Sequence, residues 1–234
     1  MHTLTKTEII SSCEANPLQE VCGFVVLQDK AKVIQCQNIS STPETSFLIH
    51  PSEFIKAKSQ GQIISLWHSH PSSAAFSEAD LSYGDEINLP LHLYNIQSKE
   101  WSEYIPKTYR VPLTGRPFIW GHYDCFGLVR DYFRQEKGVY INDYDRDENF
   151  EQTKDVRIWD NFEKEGFLKL PGLGAIKNDD VIIFNTNAMP QHLGIFVGNT
   201  QIMHHPLNAI SRLDRFNANW QKRAKVIVRH KSLF

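Results

Sequence analysis

No stretch of the 234-residue chain approaches the roughly 18 consecutive apolar residues of a membrane-spanning helix. Residues 1–8, Met-His-Thr-Leu-Thr-Lys-Thr-Glu, lack the basic start and apolar middle of a secretory signal, so no membrane insertion is expected and synthesis for the cytoplasm is. An excess of positive charge is also missing. Lys and Arg number 25 against 27 Asp and Glu, a net charge of −2, which argues against nucleic acid as the main partner. Cysteine is scarce: Cys13, Cys22, Cys36 and Cys125 form no CxxC and no disulfide framework, so they read as thiols. Internal repeats and low-complexity tracts are absent. With 41% hydrophobic and 22% charged residues the composition is that of a globular chain, large enough to bury about 70% of its unfolded surface. What is plentiful is histidine, ten residues, the usual metal ligand and near-neutral base.

Alternating apolar patterns predict a helix over 3–15, strands over 21–27 and 31–36, a helix over 51–58, a strand over 62–67, a helix opening at Ser77, and a strand over 89–96. This alternation suits an α/β sheet domain. Prolines at 106, 112 and 117 then mark a boundary. Beyond it the pattern predicts helices over 124–135 and 155–164, followed by strands over 181–184, 192–197 and 201–204, an α+β order. The expected architecture is α/β (α+β) in two domains, 1–105 and 112–234.

The first chemical constellation is His68-Ser69-His70-Pro71 followed by Ser77-Glu78-Ala79-Asp80. Two histidines two apart at a strand end share a face. With one carboxylate they make a three-ligand zinc pattern with an open position. Glu20, before an earlier strand, is a candidate base. Ser77-x-x-Asp80 is equally a capping box, with Ser77 at the N-cap and the acid at N3. Both readings stay open, and one capped helix satisfies both.

The second is Asp124-Cys125-Phe126-Gly127-Leu128-Val129. It places Cys125 in the first turn of a helix capped by Asp124, where a thiol pKa falls to roughly 3.5–7.5. Alone, a helical cysteine is more often a small buried hydrophobe. A histidine partner is available in His192-Leu193-Gly194-Ile195-Phe196-Val197-Gly198. There Leu193, Ile195 and Val197 take the core face, and Gly194 is expected to leave space beside His192. After the turn at residues 198–200, hairpin parity decides the next partner. An odd loop sets His204 opposite Phe196 on the face of His192, and an even loop favours His205. His204 is the expected partner. The tail after residue 200 carries seven basic residues against Asp214 alone, read as a solvated strand edge.

Glu20-Val21-Cys22-Gly23, His68-Ser69-His70-Pro71 and Ser77-Glu78-Ala79-Asp80, with Phe47-Leu48-Ile49-His50-Pro51 between, resemble the JAMM (MPN/JAB) metalloprotease motif over about residues 1–100. The resemblance implies His68, His70 and Asp80 as zinc ligands, Glu20 as general base, and Ser77 as a helper of the water and the developing oxyanion. Nine residues separate His70 from Asp80, one fewer than in the family pattern. Asp124-Cys125-x-Gly127-Leu128-Val129, His192-x-Gly194-Ile195-x-x-Gly198 and His204 resemble the NlpC-type cysteine peptidases over about residues 112–234, implying Cys125, His192 and His204 as the catalytic set. Phe126 stands where that family often has Ser, and Asp179-Asp180 where it has Gly-Asp. The domain order resembles the tail-assembly protein K family of long-tailed phages. So do Arg116-Pro117-Phe118, the run Leu128-Val129-Arg130-Asp131-Tyr132, Met203-His204-His205 and Ser211-Arg212-Leu213 through Val228-Arg229-His230. That resemblance implies a tail-tip component that works with other phage tail-tip proteins. It implies a hydrolase, a thiol protease with a second metalloprotease-like site, cutting peptidoglycan peptides, and a path from host cytoplasm to virion tail tip and bacterial envelope. The rivals are an assembly protein with little turnover, and an isopeptidase acting on a partner protein.

Overall fold

The computed structural model describes residues 1–72, 75–146, 158–185 and 191–234. It separates the chain into two units, Thr3–Arg110 and Val111–Phe234 with Met1–His2. Each is a mixture of helices around its own sheet, a two-domain α+β architecture.

In the first unit, α1 (Thr3–Glu14) precedes β1 (Cys22–Leu27) and β2 (Ala31–Cys36). There follow α2 (Pro51–Ser59), β3 (Gln62–His70), α3 (Glu78–Ile87), β4 (Leu91–Asn95) and β5 (Trp101–Tyr104). The sheet order is β2-β1-β3-β4-β5, parallel only between β3 and β4. Every residue of β1 is buried, as expected of a central strand covered on both faces. Phe24, Val26, Leu66 and Leu91 pack with Ala57 of α2, while Ile9 and Cys13 of α1 are fully buried. Gly23 is demanded by close approach: a Cβ there would lie 2.0 Å from the Ile34 carbonyl oxygen and 2.7 Å from the Trp67 ring.

The second unit holds α4 (Cys125–Tyr132), α5 (Ile158–Lys164), β6 (Phe167–Lys169), β7 (Val181–Phe184), β8 (His192–Gly198) and β9 (Gln201–His204). It ends with β10 (Arg212–Arg215), α6 (Ala218–Arg223) and β11 (Ala224–His230). Among the described residues the strands run β10-β9-β8-β7-β11-β6, each pair antiparallel. On one face of the sheet Val129, Phe133, Phe162, Val181, Leu193 and Ile195 form the core beneath α4. Ile182, Phe184, Ile202, Phe216 and Ile227 cluster on the other.

Several expectations shift. The strand predicted over 62–67 continues to His70, because β4 pairs with it as far as Asn95. The helix predicted over 124–135 stops at Tyr132 and passes into a π-helical turn, Phe133–Lys137, closed by left-handed Gly138. Of the helix predicted over 155–164, the first three positions lie outside the described residues. Helix α6 and the seven-residue strand β11, inside the sheet between β7 and β6, go unpredicted, as do the three strands β5, β6 and β10. Those three strands are three or four residues long and half-exposed or exposed along most of their length, too short for a period-2 signal. Asp179 has φ +74°, a backbone that glycine adopts without strain. Its carboxylate accepts from Tyr132 Oη and pairs with Lys137, contacts that glycine would lack.

Gly23→Ala is expected to lower the stability of the first unit by about 2 kcal/mol or more, because the new methyl meets backbone that cannot move aside. Denaturant unfolding of the full chain checks this; an unchanged first-unit transition would contradict it.

Candidate functional sites

The first site is assembled by strand pairing and one helix cap. β1 and β3 run antiparallel with Cys22 opposite His68. The pairing continues past the strand end, where Ser69 N–H donates to Val21 O and Val21 N–H to Ser69 Oγ. Glu20 therefore arrives beside His70, with Oε1 3.6 Å from Nε2. His68 and His70 point to one face, their Nε2 atoms 3.1 Å apart. Phe47 packs on the His68 ring at 4.8 Å and Phe76 at 5.8 Å.

Asp80 comes from α3. Ser77 is its N-cap, and the capping box is complete: Ser77 N–H and Oγ–H donate to Asp80 Oδ2 at 2.8 and 2.7 Å, and Asp80 N–H donates to Ser77 Oγ. The same carboxylate lies 3.5 Å from His68 Nε2 and 3.4 Å from His70 Nε2. The shortened spacing therefore does not take Asp80 away from the histidines, and the two readings of Ser77-x-x-Asp80 coincide in one side chain. Ser77 spends its proton on Asp80 in this arrangement.

Two imidazole nitrogens and a carboxylate, all buried, converge within 4.8 Å of one another, a donor set that could hold a metal ion. Two nitrogen lone pairs cannot face each other at 3.1 Å, so without a cation a proton must lie between them. Burial raises Asp80, but hydrogen bonds from His68, His70 and Ser77 outweigh it and hold the carboxyl well below its usual range. Burial pushes Glu20 up to about 7, with Asp80 adding to the shift and His70 opposing it. A cleft of about 400 Å³ opens on Glu20, His70, Ser77 and Asp80, bordered by Phe47 and Leu48.

The second site starts from Asp124, which is 1% exposed and accepts four hydrogen bonds. Gly121 and Gly127 N–H donate at 2.8 Å each, and Arg146 Nε and Nη2 donate at 2.7 and 3.1 Å. Burial raises this carboxyl, but the Arg146 charge and these donors outweigh it. The cap fixes the first turn of α4, so Cys125 lies against β8, its sulfur accepting from the backbone N–H of Leu193, next to His192. Phe126 turns into the core beside Phe162, with the Arg146 guanidinium 4.8 Å over its ring.

His192 Nε2 and His204 Nδ1 are 2.9 Å apart, and His204 Nε2 lies 2.9 Å from Asp214 Oδ2. His204 does share the face of His192, but it sits opposite Gly194 rather than Phe196. The loop is also shorter than expected. Asn199 and Thr200, both left-handed, make a two-residue turn, and a bulge between Phe196 and Gly198 restores the parity. Gly194 leaves no open space: a Cβ there would meet Phe184 at 3.0 Å and His204 Cβ at 3.4 Å. Trp220, on α6, packs its ring 4.9 Å from His204 and 6.0 Å from His192.

The expected activated thiol is not found. Burial, with the Asp124 charge behind it, pushes Cys125 up to about 12, overriding the Leu193 and Phe126 N–H groups and Arg146. Burial, with His204 and His205 nearby, pushes His192 down to about 3. The helix N-terminus is present, but desolvation costs more than it returns, so the pair rests as neutral thiol and neutral imidazole. In sequence Asp214 reads only as the one acid of a basic tail; its link to His204, ten residues earlier, becomes legible only through the β9–β10 hairpin. Cys13, Cys22 and Cys36 are buried, with thiols pushed up by burial.

Residues 115–229 match the model of the NlpC/P60 family, and residues 5–105 match prokaryotic homologs of the JAB domain. The chain thus joins a JAB-like domain to an NlpC/P60 domain. It is a homologue of the phage tail tip assembly proteins K. It is 29% identical to tail tip assembly protein K of Escherichia phage N15, over 100% of this chain and 97% of that one. To the protein of the same name in Escherichia phage lambda it is 28% identical, over 78% of this chain and 89% of that one. Among solved structures, the NlpC/P60 domain of the peptidoglycan hydrolase SagA is similar at 18% identity and TM-score 0.32. It covers 50% of this chain and 89% of that one, a likeness too loose to inform the site.

The depressed imidazoles fix a pH dependence. His192 and His205, held near 3 and 4, are neutral when folded but protonate at about 6.5 when unfolded, so acid favours the unfolded state. Their contribution is complete above pH 6.5 and is lost as pH falls toward 4. The thermal midpoint of the second unit is expected to drop between about pH 7 and pH 4.5, and His192→Gln to flatten the drop. A midpoint constant over that range would contradict this.

Proposed function

We propose that the chain is a tail tip assembly protein of a long-tailed phage whose C-terminal domain, 112–234, is a cysteine peptidase acting on peptidoglycan stem peptides. The observation that carries this reading is Cys125 at the start of α4, with its sulfur against β8 one residue from His192, whose ring is bonded in turn to His204. His192 takes the thiol proton, the sulfur attacks the peptide carbonyl, and His192 returns the proton to the leaving amine. Water then releases the acyl group. His204 orients the His192 ring, and the Cys125 backbone N–H, at the helix start, donates to the oxyanion.

For the N-terminal domain, 1–105, we propose one zinc held by His68, His70 and Asp80. Such an ion would supply Lewis-acid polarisation of a carbonyl. Glu20, 3.6 Å from His70, would hold or release a proton beside it, and Ser77 would steady a developing oxyanion once its hydroxyl turns from Asp80. The partners we propose are peptidoglycan peptides and other tail-tip proteins, with a path from host cytoplasm to virion tail tip and envelope. Among the described residues no helix is long and apolar enough to cross a membrane.

The sealed thiol favours a second reading, an assembly protein with little turnover. Cleavage of purified peptidoglycan separates the two. The peptidase reading expects cleavage by the full chain and none by Cys125→Ala; equal activity in both removes Cys125 from the reaction. Metal analysis of protein purified without chelator should find about one zinc per chain, lost in His68→Ala, whereas zinc-free protein would reject the metal assignment.

A further inference from the structure

The hydrogen bonds of His192 and His204 do not end at the second ring. β9 and β10 pair with Arg212 opposite His204 and Asp214 opposite Ile202, so His204 and Asp214 are diagonal neighbours on one face of the sheet. His204 Nε2 lies 2.9 Å from Asp214 Oδ2. Arg212 holds the same carboxylate from the solvent side, Nε at 3.0 Å from Oδ1 and Nη2 at 3.4 Å from Oδ2. Asp214 is therefore anchored at both ends, with its inner oxygen aimed at a ring that is 1% exposed.

We infer that Asp214 is a positioning residue of the C-terminal site, fixing through His204 the tautomer that leaves Nδ1 of His192 free to accept the Cys125 proton. The inference rests on the cysteine-site reading above. A carboxylate only accepts, so the proton on His204 must be at Nε2. In a neutral ring Nδ1 is then the lone-pair nitrogen, and it can only accept from His192 Nε2–H. That leaves the lone pair of neutral His192 on Nδ1. Without Asp214 the reverse chain becomes available: His204 carries its proton on Nδ1, donates to His192 Nε2, and His192 carries its own on Nδ1, where it cannot take one from a thiol. The charged or titratable groups facing this chain are Asp214 and Arg212 of β10, and His205 just past β9. Asp214 is the single anion among them. A wrong tautomer in a triad of this logic is known to cost several orders of magnitude in rate.

The test is ¹⁵N NMR of the ring nitrogens in full-length protein labelled at histidine, at neutral pH, for the unmodified chain, Asp214→Ala and Asp214→Asn. The unmodified chain should show both His204 and His192 protonated at Nε2. Asp214→Ala should move a measurable fraction of both rings to the Nδ1–H form. Asp214→Asn, whose amide oxygen still accepts, should restore Nε2–H on both rings while shifting the His204 Nε2 proton as carboxylate becomes amide. Should Asp214→Ala fail to fold, that shift in Asp214→Asn decides alone. Rings that keep Nε2–H in Asp214→Ala, or a His204 signal unmoved in Asp214→Asn, overturn the inference. Peptidoglycan cleavage measured on the same unmodified sample keeps the two ideas apart. Shifted tautomers without cleavage support Asp214 and sink the peptidase, whereas cleavage with unmoved tautomers does the reverse.

Discussion

One carboxylate, buried to near-zero exposure and surrounded by four donors, sets the geometry of the C-terminal site. Asp124 satisfies the Gly127 N–H in the first turn of α4 and the Gly121 N–H just before the helix, and together with Asp143 it neutralises the buried Arg146. The cap holds the backbone of Cys125, and Arg146 in turn packs over the ring of Phe126. The same carboxylate also adds negative charge beside the sulfur and so opposes a thiolate. The feature that places Cys125 is thus one of the reasons its thiol stays protonated.

The N-terminal unit uses a helix cap in the same way, with a different result. Ser77 and Asp80 close the first turn of α3 reciprocally, a local bargain that needs nothing from the rest of the fold. It leaves Asp80 Oδ1 free to face His68. Because the cap, rather than the length of the preceding loop, orients the carboxylate, a spacing one residue short of the family pattern still brings Asp80 to the histidines. The antiparallel pairing of β1 with β3 does the same for Glu20, whose place beside His70 follows from register alone.

What could be read in the sequence was what local periodicity controls. His68 and His70 two apart on a strand, Ser77 with Asp80, Asp124 before Cys125, and the alternating run from His192 are each set within a few residues. The position of His204 was foreseen for a reason only half right: an even two-residue turn would have flipped its face, and the bulge in β8 flipped it back. Bulges, short edge strands and the diagonal from His204 to Asp214 depend on pairings formed after the chain has folded. The sealing of Cys125 is of the same kind. A helix N-terminus is visible in sequence, but the packing that strips water from the sulfur comes from Phe162, Leu193 and their neighbours, brought together by the whole second unit.

Both units build their sites from two histidines and an aspartate, and the difference lies in how the polar atoms face. In the first, two Nε2 atoms and a carboxylate turn toward one another at 3.1 to 3.5 Å, a convergent donor set that could hold a cation. In the second, His192, His204 and Asp214 are joined end to end at 2.9 Å, each ring using one nitrogen toward each neighbour. A line of alternating donors and acceptors has no focal point for a cation; it has a direction, running from the Asp214 carboxylate to His192. The same three residue types are thus arranged differently by strand and cap: β3 sets its histidines two apart on one strand and the α3 cap brings Asp80 to them, whereas the β8–β9–β10 meander spreads the other set over three strands.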